Sequence, residues 1–231
     1  MRIFRDRRDA GAQLALALQG YAERPDVIVL ALPRGGVVVG YEVATQLQVP
    51  LDVLVVRKLG VPGRSELAMG AIASGGVQVV DHTIREAMNV SDEAFLAVVD
   101  QEVAELDRRE RLYRGRRAFL DVHERSVILV DDGLATGATM RAAIQALRQR
   151  EPSEVIVAVP VAAPEAVAII SPLVDDVVCL ATPGYMAAIG LWYREFDQTS
   201  DAEVRTLLDD ADAQYEARKQ AAATHEPAAH P

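Results

Sequence analysis

The segment at residues 127–139, VILVDDGLATGAT, constrains the fold and the chemistry of this chain more than any other part of the sequence. Its four leading apolar residues predict a buried strand, and the apolar spacing after it predicts a helix. Between them lie two adjacent carboxylates, Asp131 and Asp132, and a loop of small residues that carries Thr136 and Thr139. Backbone amides at the start of a helix attract anions, whereas carboxylates accept hydrogen bonds from hydroxyl groups and bind hard cations. The segment therefore predicts a sugar phosphate site in which a metal ion takes part.

The same segment resembles the ribose-phosphate motif of the type I phosphoribosyltransferases, which bind 5-phosphoribosyl 1-pyrophosphate (PRPP). Every constrained position of that motif is matched, whereas an ordinary strand, glycine turn and capped helix would not explain Asp-Asp followed by Thr-Gly-x-Thr. The resemblance implies that Asp131 and Asp132 hold the ribose hydroxyls and contribute to catalysis. It implies Mg²⁺ as a cofactor that is bound mainly through PRPP, with these two carboxylates as the candidate protein contacts. It also implies a 5′-phosphate loop formed by Ala135, Thr136, Gly137, Ala138 and Thr139.

Strand and helix patterns alternate along the chain, which predicts an α/β fold with a largely parallel central sheet flanked by helices. Strands are predicted at residues 27–32, 51–56, 127–130, 155–160 and 176–181, and a hairpin at residues 68–80 around Ser74, Gly75 and Gly76. Helices are predicted at residues 6–23, 36–47, 91–117 and 201–219, with one more that begins at residue 164.

A second loop, Pro33-Arg34-Gly35-Gly36, follows the predicted strand at residues 27–32. Ligands of open α/β sheets bind at the carboxyl ends of the strands, and two glycines with an arginine suit an anion there. The resemblance implies that Arg34, Gly35 and Gly36 bind pyrophosphate, and that this loop holds a strained cis peptide bond at Arg34–Gly35. A plain turn between a strand and a helix is the alternative interpretation.

The predicted strand at residues 51–56 is followed by Arg57 and Lys58, and Lys58 is one of two lysines in the chain. A lysine is a compact charge that can follow a moving pyrophosphate. The resemblance implies that both residues contact pyrophosphate and that Lys58 and Arg34 are catalytic. It also implies that residues 60–80 form a flexible loop that closes over the site.

An aromatic segment follows the last predicted strand, and the resemblance implies that residues 182–200 form a hood that binds the base. Tyr185, Trp192 and Tyr193 are the candidates for stacking on that base. The alternative is that these aromatic side chains pack on the core. Purine-specific members of the family usually carry a hood lysine, but this chain has no lysine between Lys58 and Lys219. That departure argues against ordinary 6-oxopurine salvage.

The domain organisation follows from these patterns. Residues 1–200 are expected to form a Rossmann-like phosphoribosyltransferase domain, residues 201–220 a C-terminal helix and residues 221–231 a disordered tail. The net charge of −10 argues against a nucleic-acid binder. No apolar run is long enough to span a membrane, the N-terminus lacks the apolar region of a signal peptide, and Cys179 has no partner for a disulfide. We therefore expect a cytoplasmic protein.

Two charged regions have no assigned role at this point. Residues 108–117 contain six arginines and one acid, and residues 197–231 are strongly acidic. The arginine cluster is typical of a solvated helix face, although it could instead bind phosphates or a partner. The sequence leaves a homodimer open.

The function that these features favour is transfer of phosphoribose from PRPP to a nitrogenous, nucleobase-like acceptor with release of pyrophosphate. A non-catalytic protein that senses PRPP or a nucleotide is the alternative from another class. A third hypothesis is a binding module that contacts a larger assembly through the arginine cluster. The sequence does not identify the acceptor.

Overall fold

The computed structural model of the chain describes residues 4–115 and 117–225. This part of the chain forms the predicted α/β fold, in which helices flank a parallel sheet. The described strands are β1 (Val27–Ala31), β2 (Leu51–Val53), β3 (Val56–Val61), β4 (Arg64–Ala73), β5 (Val77–Val80), β6 (Ser126–Val130), β7 (Glu154–Val161) and β8 (Asp176–Ala181). The described α-helices are α1 (Arg7–Ala17), α2 (Gly35–Leu47), α3 (His82–Ala87), α4 (Asp92–Arg114), α5 (Ala138–Arg148), α6 (Pro164–Ile170) and α7 (Asp201–His225).

The central sheet has five parallel strands in the order β2-β1-β6-β7-β8. Strands β1 and β6 are neighbours, with Ala31 opposite Val130 at their carboxyl ends. Every residue of both strands is buried, because helices cover both faces of a parallel sheet. Alternate residues serve opposite faces: Val29 belongs to the apolar cluster under α1 and α2, and Ile28 to the cluster under α5 and α6. This arrangement brings the loops after β1 and β6 to one edge of the sheet.

A smaller antiparallel sheet of order β3-β4-β5 is built on the predicted hairpin. Gly75 and Gly76, with φ of +79° and +77°, form the turn between β4 and β5, which confirms the hairpin around these residues. The segment expected to be a flexible loop, residues 60–80, lies mostly in these strands. Its closing motion over a ligand stays a prediction.

The boundary between the two sheets differs from the predicted strand at residues 51–56. Strand β2 ends at Val53, and Lys58 lies in β3 of the antiparallel sheet rather than at an end of the parallel sheet. The reason is tertiary: the Val55 amide donates to Ser74 Oγ at 2.9 Å, and the Ser74 amide donates to the Val55 carbonyl at 2.9 Å. The chain therefore leaves the parallel sheet after Leu54 and pairs with the hairpin.

Several helix boundaries differ from the expected ones. Helix α1 ends at Ala17 and a short 3-10 turn follows, so the helix expected over residues 6–23 is shorter. Helix α3 was not predicted. Helix α4 ends at Arg114, because Gly115 has φ of +61°. Helix α7 extends to His225, past the expected start of a disordered tail at residue 221, and residues 226–231 lie outside the described residues.

The arginine cluster at residues 108–117 makes intramolecular ion pairs. Arg108 and Arg109 bind Glu105 on the same helix, and Arg117 pairs with Asp209 and Asp212 of α7. The acidic C-terminal segment thus supplies partners for at least one arginine of the cluster. Over the described part of the chain, no helix combines the length and the apolar character that crossing a membrane requires.

Candidate functional site

The acidic pair lies directly after β6, at the carboxyl edge of the parallel sheet. The glycine loop, residues 33–36, lies against it, since the Leu32 amide donates to the Val130 carbonyl at 2.9 Å. A Cβ atom added to Gly36 would lie 2.9 Å from the Asp131 Cα atom, and one added to Gly35 would collide with the Asp132 carboxylate. Glycine is therefore required by close approach at these two positions. The structure brings the two predicted loops into contact.

The glycine loop contains a cis peptide bond between Pro33 and Arg34. The position that the resemblance implied, Arg34–Gly35, was wrong by one bond. Helix α2 begins at Gly35, so its first amides lie beside the acidic pair. The Arg34 side chain has its Nη1 4.0 Å from a carboxylate oxygen of Asp201 at the start of α7.

The motif loop, residues 133–139, joins β6 to α5 and includes the first two residues of that helix. Gly137 caps α5 with φ of +71°, a left-handed conformation that favours glycine. Leu134 is buried and forms a bridge with Ala162, which fixes the base of the loop. The other small and hydroxyl residues of the loop are exposed, namely Ala135, Thr136, Ala138 and Thr139. An exposed loop on a fixed base, at the amino end of an eleven-residue helix, is suited to bind an anion from solution.

The acidic pair is paired with a cation that the sequence did not indicate. Arg7 Nε donates to Asp132 Oδ2 at 2.7 Å, and the two side chains are 12% and 14% exposed. Burial, together with the charge of Asp132, raises the pKa of Asp131 well above its ordinary value. Burial also raises the pKa of Asp132, although Arg7 opposes this shift. Among the described residues, two adjacent, partly buried carboxylates thus share one arginine, Arg7, as their ion-pair partner.

The aromatic candidates separate into two environments. Trp192 and Tyr193 are 4% and 5% exposed and pack with Phe4, whereas Tyr185 is 84% exposed. The Tyr193 hydroxyl donates to the Asp132 carbonyl at 2.6 Å, and burial raises the pKa of this phenol. A base-stacking role for Trp192 and Tyr193 does not fit these positions, since their rings are enclosed by the core. Of the three, only Tyr185 presents its ring to solvent.

The two basic residues after β2 point in different directions. Arg57 forms an ion pair with Glu102 of α4 at 2.6 Å. Lys58 lines a cavity of about 570 Å³ between the antiparallel sheet and α5, together with Ala138 and Arg141. Because Ala138 belongs to the motif, this cavity connects Lys58 with the motif loop. The structure thus places Lys58, but not Arg57, in the lining of the cavity that reaches Ala138.

The comparisons with known proteins bear directly on this arrangement. The chain matches the phosphoribosyl transferase domain family over residues 5–181, which is most of its length. The chain belongs to this family. The match contains both the glycine loop and the motif loop.

Relatives of this phosphoribosyl transferase domain include one solved structure of high similarity. The crystal structure of TT1426 from Thermus thermophilus is 43% identical, covers 91% of this chain and 99% of that chain, and superposes with a TM-score of 0.81. A protein of Mycobacterium tuberculosis that is provisionally named a phosphoribosyl transferase is 47% identical over 211 residues, which are 91% of this chain and 47% of that protein. The bifunctional protein PyrR of Pasteurella multocida is 50% identical over 48 residues, which are 21% of this chain and 26% of that protein. The chain spans about half the length of the Mycobacterium relative.

The donor set of this phosphoribosyl transferase domain fits a magnesium ion that brings its own ligand. Asp131 Oδ1 accepts the Asp132 amide at 2.8 Å and Asp132 Oδ2 accepts Arg7. Neither Asp131 Oδ2 nor Asp132 Oδ1 has a hydrogen bond to another residue in the described ranges, and carboxylate oxygens are preferred Mg²⁺ ligands. Residues 4–115 and 117–225 contain no cluster of three or more metal-ligating side chains. Most ligands of such an ion would therefore come from a bound phosphate compound and water.

Sequence reasoning missed Arg7 because nothing local marks it. Arg5, Arg7 and Arg8 lie within four residues, and the pairing of Arg7 with Asp132 spans 125 positions. An amphipathic helix pattern predicts which side of α1 is buried, but not which arginine reaches across to the sheet edge.

Proposed function

We propose that this domain binds PRPP with Mg²⁺ and transfers phosphoribose to a nitrogenous, nucleobase-like acceptor, with release of pyrophosphate. The observation that supports this most is that two carboxylates, the glycine loop and the exposed motif loop meet at one sheet edge. A sugar that carries phosphates at both ends needs such a set, because its hydroxyls need acceptors and its phosphates need amides and cations. Membership of the phosphoribosyl transferase domain family supports the same conclusion.

The ribose and its 5′-phosphate are assigned to the motif. Asp131 and Asp132 accept hydrogen bonds from the 2′- and 3′-hydroxyls, because their free carboxylate oxygens lie at the sheet edge. The amides and hydroxyls of residues 135–139 donate to the 5′-phosphate, which also gains from the positive end of α5. Both carboxylates are near the reacting carbon in this arrangement, and they stabilise the positive charge that develops on the ribose ring.

The pyrophosphate is assigned to the glycine loop and to Lys58. The amides of Gly35 and Gly36 lie at the start of α2, and Lys58 contributes a mobile positive charge from β3. Arg34 and Arg57 belong to the same assignment, and each also faces a carboxylate of the protein. When bound, Mg²⁺ would neutralise charge on the leaving pyrophosphate.

The reaction is a substitution at ribose C1. A ring nitrogen of the acceptor forms the new C1–N bond, and the C1–O bond to pyrophosphate breaks, with its electron pair leaving on the pyrophosphate oxygen. The acceptor nitrogen loses its proton to solvent. The protein contributes positioning and electrostatic stabilisation. Residues 182–200 form the hood in this proposal, with Tyr185 as its exposed aromatic ring, and residues 60–80 close over the bound ligands.

The test is a binding measurement on a double variant. Asp131→Asn with Asp132→Asn is expected to abolish Mg²⁺-dependent binding of PRPP in calorimetry, because it removes the negative charge of both groups that accept the ribose hydroxyls. The matched control is Asp209→Asn with Asp210→Asn, a second adjacent acidic pair that is exposed on α7, and it should bind as the wild type does. Unchanged affinity in the first variant would refute the ribose assignment.

A PRPP or nucleotide sensor is the second candidate function, and two observations favour it. The chain has no lysine between Lys58 and Lys219, and two of the three candidate stacking rings are buried. Lys58→Ala separates the two functions. In an enzyme, Lys58 is needed most as charge builds on pyrophosphate, so turnover should fall by more than ground-state affinity.

The Lys58→Ala measurement pairs steady-state pyrophosphate release with equilibrium binding, over purines, pyrimidines and nicotinate-like rings as acceptors. Lys219→Ala, on the exposed surface of α7, is the control. If none of these rings releases pyrophosphate while PRPP binds tightly, the sensor function is correct. If Lys58→Ala turns over at the wild-type rate, Lys58 is not part of the site.

A further inference from the structure

Arg7 is enclosed by three parts of the molecule that are far apart in sequence. Its Nε donates to Asp132 Oδ2 at 2.7 Å, and its Nη1 donates to the carbonyl of Asp197 at 2.7 Å. The guanidinium carbon lies 3.8 Å from the centre of the Phe196 ring. A planar guanidinium is well suited to this combination, since it offers donors in a fixed fork and a flat face for stacking. The side chain is therefore held in one orientation by Phe196 and Asp197 of the hood segment, and it presents its Nε donor to the acidic pair.

The neighbouring arginines of the same segment behave differently. Arg5 is 66% exposed and pairs with Asp6, and Arg8 is 49% exposed and pairs with Glu42 of α2. These are surface ion pairs of the kind that contributes little to stability. Arg7, at 12% exposure, is the one of these three that is built into the protein interior.

Arg7 also lies against the glycine loop. A Cβ atom added to Gly35 would collide with Asp132 Oδ2 and would lie 2.8 Å from Arg7 Nε. Gly35, Asp132 and Arg7 are thus in mutual contact where the glycine loop meets the motif. The Arg7 Nε donor is used by Asp132 and Nη1 by the Asp197 carbonyl, so the contact of Arg7 with the acidic pair runs through the Asp132 carboxylate.

We propose that Arg7 is a positioning residue for the ribose site: it holds the Asp132 carboxylate so that its second oxygen faces the ribose hydroxyls. This inference rests on the proposed function, and it adds helix α1 to the machinery that recognises the sugar. Without the Arg7 hydrogen bond the carboxylate is free to rotate. Two adjacent carboxylates without a cation would also repel a ligand that carries phosphates. A carboxylate that is already held in place discriminates better between a sugar that has the hydroxyl and one that lacks it, because binding need not order the side chain.

The experiment measures a ratio of affinities within each variant, so that a change in the amount of folded protein cancels. The probes are ribose 5-phosphate and 2-deoxyribose 5-phosphate, which share the phosphate and differ in one hydroxyl. The wild-type chain is expected to prefer ribose 5-phosphate, and Arg7→Ala is expected to lose about tenfold of that preference, the worth of one hydrogen bond to a charged group. Arg7→Lys should recover part of it, since lysine restores the charge without the fork. Arg8→Ala is the control and should keep the wild-type ratio.

The outcomes separate the inference from the function on which it rests. A wild-type ratio in Arg7→Ala overturns the positioning role while the proposed function stands. A wild-type chain that binds neither sugar phosphate overturns both. Should Arg7→Ala not fold, Arg7→Gln keeps much of the length that packs on Phe196 but lacks the charge. A wild-type ratio in Arg7→Gln would then overturn the inference equally.

Discussion

Two arginine–carboxylate pairs in different regions of the molecule show how differently a buried charge can be treated. Arg114 and Asp52 are 5% and 9% exposed, where α4 meets β2, and their contact is 2.8 Å. Arg7 and Asp132 are 12% and 14% exposed, at the sheet edge, with a contact of 2.7 Å. The two pairs are therefore similar in burial and in distance. They differ in what surrounds the two partners.

The Arg114 pair is saturated. Arg114 also donates to Glu110 at 2.6 Å, to Ser74 Oγ at 3.2 Å and to the Val53 carbonyl. Asp52 accepts the Val53 amide at 2.7 Å through Oδ1 and the Leu120 amide at 3.1 Å through Oδ2. Burying a charge is unfavourable unless its hydrogen bonds are satisfied, and here Glu110, Val53, Ser74 and Leu120 supply the partners. The pair joins α4 and β2 to the end of the hairpin.

The Arg7 pair is incomplete because a second carboxylate lies beside it. Asp131 has no cation of its own among its described contacts, and burial with its neighbour raises its pKa. An unmatched carboxylate lowers the stability of the fold. Such groups are typical of functional sites, where a bound ligand supplies the missing partner. The charge at the Arg114 pair is thus satisfied within the fold, whereas the charge at the acidic pair fits the ligand site proposed above.

The largest effect is expected from breaking the saturated pair. Arg114→Ala should lower the free energy of unfolding by about 3–5 kcal/mol, because it leaves Asp52 charged and buried without its cation. Urea denaturation followed by circular dichroism measures this. Arg108→Ala is the control, since Arg108 is 58% exposed and its partner Glu105 keeps Arg109; its effect should be below about 1 kcal/mol. Equal effects of the two substitutions would remove the distinction between buried and surface pairs.

At the acidic pair, removal of one charge is expected to raise the free energy of unfolding rather than lower it. Asp131→Asn keeps the side-chain oxygen that accepts the Asp132 amide and removes the unmatched charge. At neutral pH it should raise the free energy of unfolding by about 0.5–2 kcal/mol, as stabilising changes at functional residues do, while PRPP binding weakens. Asp132→Asn should give a smaller gain or a loss, because it leaves Arg7 without its carboxylate. Thermal unfolding of both variants checks this order.

The pH dependence of Asp131→Asn adds an independent test of the cause. A carboxyl whose pKa is raised by folding binds its proton more tightly in the folded state, so its contribution to stability is present below its unfolded pKa of about 3.9 and is lost as the pH rises towards the folded value. The stability difference between Asp131→Asn and the wild type should therefore disappear near pH 3. A difference that stays constant from neutral to acid pH would contradict the electrostatic explanation.

The parts of the candidate site that are formed by short continuous segments were predictable from the sequence. The motif at residues 127–139 and the glycine loop each combine a strand end with a helix start, and such patterns are contained in a short window. The parallel core followed from buried apolar runs for the same reason. The Arg7 contact and the early end of β2 were not predictable, since they depend on partners 125 and 19 positions away. No local pattern records which distant group a side chain meets.

The hood segment shows the same limit of prediction from local sequence. Tyr185, Trp192 and Tyr193 lie within nine residues, and composition alone does not distinguish an exposed ring from a buried one. The difference arises because Trp192 and Tyr193 pack on Phe4 from the other end of the chain. Tertiary contacts therefore decided which aromatic residues stay available for a ligand.

The smallest effect is expected at the surface, and it completes the comparison with a pair that is neither buried nor functional. Hydrogen bonds from Arg108 and Arg109 lower the pKa of Glu105 to about 2, yet solvent screens these charges. Glu105→Gln should change the free energy of unfolding by less than about 1 kcal/mol at pH 7, and high salt should reduce even that difference. Because the folded pKa is lowered, the contribution is present above the unfolded pKa of about 4.3 and is lost as the pH falls towards 2.

Carboxyl NMR titration locates the midpoint, and urea denaturation at neutral pH and at acid pH measures the difference. A loss as large as that of Arg114→Ala would mean that burial is not what separates the pairs.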